Sequence, residues 1–396
     1  HAQLELSRPA VARRCMSVAD LPGQYLAPHA SPAARSPPLS LQIVSSPTAL
    51  HRLDHIVAGH TMQGKAAMLG AEGVLYKPVQ KGEKGRREVN FYEMAGEIWP
   101  TLAPFLPAYF GTHEFAAMRY LAMEDIAIRF REPCVLDLKI GVRTYEPTAT
   151  REKIDSELSK CPGQEAVGFR PCGMRVYGTR TRQYRCRNKD WGRAVTPETA
   201  PSLLAEFVCD DDAYTTVRRI RRVIPPLVQR LRALEKVTGG LSGLRLYASS
   251  IVIVYEGRDD EAASAKPGEP PRPAVIDLRV VDFAHWVQVE EGGVDEGYIT
   301  GLQNVIHTFE SIGAQASSFA RQMETTVSSL PQFELRDIPA LSRDPSSAGD
   351  ASHGGDSDVD SDEDVDGERE DSEANLQSPV ALAALLSELQ ADQISR

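Results

Sequence analysis

The sequence predicts an α+β domain in which strands and helices occupy separate stretches rather than alternating regularly. Two strongly β-like segments, residues 247–255 and 274–283, are joined by a polar Gly/Pro loop, as in a hairpin. Shorter apolar runs at 73–79, 118–123 and 134–140 read as further strands. Helical spacing is confined to other stretches, such as 86–99, where Phe91, Met94 and Ile98 share a face.

In chain order, residues 73–79 form a strand after a glycine-containing turn, and the helix of residues 86–99 follows. Residues 153, 156, 157 and 160 are three and four apart and so lie on one helix face. Pro197, one residue after Thr196, marks a helix start, and that helix is expected to run to about Arg222. Pro225 and Pro226 are then expected to break it before a second helix over 227–237. Residues 301–312 are apolar enough for a buried helix.

The chain has 396 residues, with 42% hydrophobic and 25% charged, which excludes wholesale disorder. Composition divides it into an Ala/Pro/Ser-rich leader (1–41), a patterned body (42–343) and a Ser/Gly/Asp-rich acidic tail (344–396) with a short helix candidate at 380–389. The net charge of −11 is largely the tail's. Residues 356–373 hold eleven carboxylates and one arginine, which leaves about −1 for everything else. An anionic partner is therefore compatible with the body. Ser357, Ser361 and Ser372 suit an acidophilic protein kinase, and the tail is expected to compete for basic side chains. Six cysteines without a CxxC pair predict reduced thiols rather than a disulfide framework or zinc site. No apolar run reaches the ~20 residues of a membrane span. The chain opens on His1, so a preceding segment is expected.

The segment from Gly59 to Ala66 fits GxxxxGK, but Ala66 stands where a P-loop needs Ser or Thr, and no strong strand precedes Gly59. Lys77 lies at the polar edge of a strand, eleven residues before Glu88 on the next helix. A lysine held by a helix glutamate is how protein-kinase-like folds position ATP phosphates, although a solvated strand lysine has the same sequence appearance. In the strand 134–140, Asp137 and Lys139 point with Gly141 to the face opposite Cys134, Leu136 and Leu138. Asp282 ends an apolar strand and precedes Phe283, the kinase arrangement for holding Mg²⁺, or else a turn-starting aspartate. Two basic clusters, Arg170 to Arg193 and Arg218 to Arg222, suit phosphate, RNA or acidic lipid, with a solvated helix face the alternative for the second.

Together these motifs resemble the inositol polyphosphate kinase family over residues 57–312. Pro133, Asp137, Lys139 and Gly141 fit its PxxxDxKxG signature, Ser249-Ser250-Ile251-Val252 its Ser-Ser-Leu-Leu strand, and Asp282-Phe283-Ala284-His285 its metal-binding segment. Ala58-Gly59-His60, Lys77-Pro78-Val79-Gln80 and Asp295-Glu296-Gly297-Tyr298 fall in the family's order. The stretch from Lys139 to Thr150 looks like the multikinase branch, particularly its plant and algal forms, with the hexakisphosphate kinases as the nearer rival.

The resemblance implies a two-lobed fold related to protein kinases, with ATP between an N-lobe (about 42–125) and a C-lobe (about 126–343). It implies ATP and Mg²⁺ as cofactors and inositol tris- and tetrakisphosphates as substrates. Lys77, supported by Glu88, would hold ATP phosphates, and Glu124, Asp125 and Ile126 would form the hinge for adenine. Asp137 would meet the ribose, and Lys139 would bridge the γ-phosphate and the attacking hydroxyl. Asp282 would bind Mg²⁺ with Ser250 nearby, and Gln80, Lys153, Lys160, Lys189 and His285 would receive the inositol phosphate. Glu157, where relatives often carry glutamine, would repel a polyanion unless it turns to solvent. A nuclear and cytoplasmic monomer is the accompanying expectation. The reading from another class is a non-catalytic scaffold that binds RNA or anionic lipid through its arginines, but such a protein would be expected to have lost Lys77, Lys139 or Asp282.

Overall fold

In the computed structural model, the strands assemble into two five-stranded antiparallel sheets and a two-stranded ribbon. The structure describes residues 51–329 apart from 54, 58–67, 116, 212 and 261–270. The leader, the glycine turn at 59–66, the acidic tail and its helix candidate lie outside the described residues.

The first sheet takes β1 (His51–Arg52), β2 (Leu69–Ala71) and β3 (Val74–Pro78), then, after helix α1 (Glu83–Ile98), β4 (Tyr109–Phe115) and β5 (Met118–Glu124), in the order β1-β2-β3-β5-β4. Its interior is small and aromatic: Tyr76 is fully buried and meets His113 and Phe115 edge-on.

The second sheet is built on β6 (Pro133–Ile140). Helices α2 (Arg151–Lys160) and α3 (Gln164–Val167) separate β6 from β7 (Phe169–Tyr177), which pairs with β8 (Tyr184–Arg187). Helices α4 (Lys189–Gly192), α5 (Ala200–Val208) and α6 (Ala213–Thr238) follow, then β9 (Leu244–Leu246), β10 (Ser250–Glu256) and β11 (Ile276–Val281). β12 (Trp286–Gln288) pairs with β9, and α7 (Glu296–Ser329) closes the fold. The sheet order is β11-β10-β6-β7-β8, so the expected hairpin is present as β10–β11, and β10 also pairs with the motif strand β6. The main core lies behind this sheet, where Leu136, Leu138 and Ile140 meet α5, α6 and α7. Gly168 and Gly301 let α7 touch the start of β7. A Cβ on Gly168 would come within 2.8 Å of the Gly301 Cα, and one on Gly301 within 2.1 Å of the Gly168 carbonyl oxygen.

The structure corrects the helical reading in two places. The expected helix from Pro197 to Arg222 is two helices, separated where the Asp210 carboxylate accepts the Thr179 and Asp211 N–H groups. Pro225 and Pro226 do not break α6, which runs through both. Pro226 lacks the N–H that would bond the Arg222 carbonyl, and the Ala274 N–H takes that carbonyl instead at 2.8 Å. The lost helical bond is thus replaced from outside the helix.

The second arginine cluster is also corrected, because it is neither a solvated face nor an anion-binding patch. Arg218, Arg219 and Arg222 are buried. Arg219 pairs with Asp210 at 2.6 Å and donates to the carbonyls of Tyr177, Cys209 and Gly257. Arg218 pairs with Asp259, and Arg222 donates to the carbonyls of Glu256 and Arg258. Much of the first cluster is likewise engaged within the protein: Arg175 stacks on Tyr184 at 3.5 Å, and Arg185 and Arg187 bind Glu206. Of the six cysteines, the five described are free thiols. Among the described residues no helix is long and apolar enough to cross a membrane.

Candidate active site

The site forms where β3 and α1 of the first sheet face the ends of β6, β10 and β11. Lys77 leaves β3 with its amine 2.6 Å from Glu88 on α1, and it also pairs with Asp282 just beyond β11. Burial alone would discharge this lysine, but Asp282 and Glu88 outweigh it and raise its pKa. Glu88 is fully buried, so its role is to hold Lys77 rather than to meet a ligand directly.

Asp282 is held by its neighbour. Phe283 is fully buried and stacks on Phe91 of α1, with ring centroids 3.7 Å apart. Asp282 itself sits at φ +67°, in the left-handed region that aspartate adopts more readily than most residues.

Opposite lie the motif residues of β6. Lys139 donates to the Ala248 carbonyl at 2.5 Å and sits between Ser250 on β10 and Arg170 on β7. Asp137 is buried, its Oδ1 has no hydrogen-bond partner, and its carboxyl is pushed up to about 6. Burial is the main cause and the charge of Asp282 the second, with Lys139, Ser250 and Lys77 opposing. Gly141, which ends this strand segment, adopts φ +112° and turns the chain toward α2.

The side expected to receive substrate phosphates is built from α1, α2 and the segment after β11. Glu157 on α2 takes both Lys153 and Lys160 on one carboxylate oxygen and the Thr144 hydroxyl on the other at 3.1 Å. Burial would raise its pKa, but the hydrogen bonds and charges of both lysines bring it to about 2. Glu157 therefore does not turn to solvent. His285 Nδ1 lies 2.8 Å from Glu146, which also pairs with Arg87 of α1 at 2.8 Å. Glu146 is held below the usual carboxylate range, burial being outweighed by Arg87 and His285. An ionised Glu146 fixes the proton of neutral His285 on Nδ1 and leaves Nε2 as an acceptor. The His285 pKa is itself lowered, by burial first and then by the nearby charges of Lys84 and Lys153.

The sequence-predicted residues thus divide into groups. Lys77, Glu88, Asp137, Lys139, Ser250 and Asp282 converge, and Lys153, Lys160 and His285 stand beside them. Gln80 and Lys189 are exposed, Lys189 on α4, whose Gly192 packs against Pro171 of β7. The residues expected at the hinge are engaged within the protein. Glu124 accepts the Ala108 N–H at 3.2 Å, and Ile126 packs with Val57, Phe130 and Val254. Asp125 donates its N–H to Gly73, and its carboxylate binds His55 and the Ala127 N–H. Sequence reasoning missed Lys84, Arg87 and Glu146, which carry no motif of their own. It also missed Cys172, the extra residue of a β-bulge opposite Asp137, whose thiol burial and the Asp137 charge push up to about 11.

The residues fit a nucleotide with a divalent cation. Among the described residues no group of three or more His, Cys, Asp or Glu gathers to hold a metal alone. Asp282, with the unpartnered oxygen of Asp137 and the Ser250 hydroxyl nearby, suits a hard cation that completes its shell with phosphate and water.

Residues 120–310 match the inositol polyphosphate kinase family model. Those residues form a domain of that family. It is 32% identical to the inositol polyphosphate multikinase of Mus musculus over 224 residues, 54% of this chain and 55% of that protein. It is also 32% identical to inositol hexakisphosphate kinase 3 of Mus musculus over 206 residues, 49% of this chain and 51% of that protein. The chain therefore spans about half the length of the curated relatives it matches. Among solved structures, the inositol phosphate multikinase of S. cerevisiae in complex with ADP and Mn²⁺ superposes with a TM-score of 0.50 at 20% identity, over 60% of this chain and 98% of that one. That likeness establishes the kinase fold.

Proposed function

We propose that this protein transfers the γ-phosphoryl group of ATP to free ring hydroxyls of inositol tris- and tetrakisphosphates, as a multikinase with Mg²⁺ as its cation. The observation that carries the reading is the convergence of Lys77, Asp282, Asp137 and Lys139 from three separate strands, with Lys153 and His285 near one another and Lys160 sharing the Glu157 carboxylate with Lys153.

When bound, ATP supplies the phosphoryl group and Mg²⁺ neutralises charge on its oxygens. The protein's part is alignment and charge neutralisation, because the transition state is loose and asks for little covalent chemistry. Lys77, kept charged by Glu88 and Asp282, binds nucleotide phosphates. Asp282, with Asp137 and Ser250 beside it, holds the cation. Lys139 stands on the strand that joins the nucleotide side to the substrate side and neutralises oxygens of the moving group. Lys153 and Lys160 bind substrate phosphates, and His285 Nε2 accepts the hydrogen of the attacking hydroxyl while Glu146 fixes the ring.

The multikinase reading rests on the likeness of residues 139–150 to that branch, and a hexakisphosphate kinase is the reading it competes with. The scaffold reading has less support, because Arg218, Arg219 and Arg222 are buried in internal pairs. Nuclear and cytoplasmic residence and a monomeric state belong to the same proposal and rest on family resemblance. Assay of labelled ATP against inositol tris- to hexakisphosphates tests the activity. Transfer to tris- and tetrakisphosphates supports it, and transfer to the hexakisphosphate alone overturns it in favour of the rival.

A further inference from the structure

Helix α2 carries two lysines for substrate and places a carboxylate between them. The Lys153 and Lys160 side chains are each 40% exposed, whereas that of Glu157, which binds both, is only 10% exposed. Its second oxygen is fixed by Thr144, a buried residue on the segment leaving β6, three residues after Gly141. Thr150 caps α2 by accepting the Lys153 N–H, which sets the helix start beside the same segment. Glu157 is therefore held from two directions, by its own helix and by the chain that carries Lys139. It is not a mobile surface acid that could swing away from an arriving anion.

This arrangement has a chemical consequence. Two lysines alone would present two full charges, a site for adjacent phosphates. With Glu157 between them the cluster carries a single net charge, and each ammonium has one donor committed to the carboxylate. A ring hydroxyl can donate to an ionised carboxylate, whereas a phosphate at the same place meets charge repulsion in a partly desolvated site.

We propose that Glu157 is a specificity-determining residue that limits how heavily phosphorylated an inositol ring this enzyme accepts, by presenting an acceptor for a hydroxyl where a further phosphate would otherwise bind Lys153 and Lys160. The inference rests on the inositol phosphate kinase reading above. It explains how a pocket lined with lysines favours rings that still carry free hydroxyls.

The test is the ratio of kcat/KM for the hexakisphosphate to that for a trisphosphate, measured on the full chain and on Glu157→Gln. The expected result is a rise of at least tenfold in that ratio, carried by KM for the hexakisphosphate. A purely structural role for Glu157 would lower both values together. Thr144→Val, which frees only the second carboxylate oxygen, is expected to move the ratio in the same direction by a smaller factor, and it carries the test if Glu157→Gln does not fold. Variants that remain active with an unchanged ratio overturn the inference and leave the kinase reading intact. A wild-type chain that phosphorylates none of these substrates overturns the kinase reading itself, and the inference with it.

Discussion

Lys77 and Asp282 are 205 residues apart in sequence and form an ion pair across the two sheets. The lysine comes from the third strand of the first sheet and the aspartate from the end of the last long strand of the second. Each is fixed by something other than the pair: Lys77 by Glu88, and Asp282 by the stacking of Phe283 on Phe91. The two lobes are therefore in register at the point where a nucleotide's phosphates would be handled.

Lys77→Ala removes one charge of this pair and leaves Glu88 buried without its partner. The expected outcome is a loss of at least 10²-fold in kcat/KM for ATP and a destabilisation of about 3 kcal/mol or more, the scale of an orphaned buried charge. Steady-state kinetics together with urea unfolding check both. Lys77→Ala with Glu88→Gln should recover stability without recovering activity.

Glu146 binds His285 and Arg87 at once, so Glu146→Gln loses the charge that fixes the imidazole tautomer. We expect kcat to fall about 10- to 10²-fold while KM for ATP changes little, the general range for a positioned proton acceptor. A matching fall in His285→Ala, with no further loss in the double variant, would show that the two act as one unit. Additive losses would show that they do not.

Glu157 gives a pH signature. Its carboxyl is lowered to about 2 from 4.5, so the folded state binds fewer protons than the unfolded chain between those values. The stability it contributes is present above pH 4.5 and is lost as pH falls toward 2. Wild type should therefore lose stability more steeply than Glu157→Gln over that interval, as read by denaturant midpoints at fixed pH. Parallel curves would contradict the ion-pair arrangement.

Arg219 is 2% exposed and pairs with an equally buried Asp210. Removing one partner, as in Arg219→Met, is expected to destabilise the fold by about 3–5 kcal/mol. Melting and chemical denaturation measure this. RNA or anionic-lipid affinity of the folded variant should be unchanged, because the guanidinium is not available at the surface.

The pairing of Lys77 with Glu88 and the shared face of Asp137 and Lys139 were legible in the sequence because strand geometry makes them local. Alternation alone puts Asp137 and Lys139 on one face, and the eleven residues from Lys77 to Glu88 span one strand-to-helix connection. The hairpin of β10 and β11 was legible for the same reason. What could not be read was chosen by tertiary contact. Arg218, Arg219 and Arg222 look like a solvated stripe until Asp210, Asp259 and five backbone carbonyls surround them. Pro225 and Pro226 look like a break because the replacement donor, Ala274, lies 48 residues beyond Pro226. Glu146 sits in an irregular segment with no period, and only the fold brings it to His285.

On the proposed function, this site phosphorylates inositol rings and Lys139 lies in the path of the transferred group. The most direct measurement incubates the full chain, and separately Lys139→Ala, with γ-labelled ATP, Mg²⁺ and an inositol trisphosphate, and resolves the labelled products by charge. Label in tetrakis- and pentakisphosphate from the wild type, lost by at least 10²-fold in a folded Lys139→Ala, is the expected result. A wild type that binds ATP yet labels no inositol phosphate, or a Lys139→Ala that labels them as well as the wild type, would contradict it.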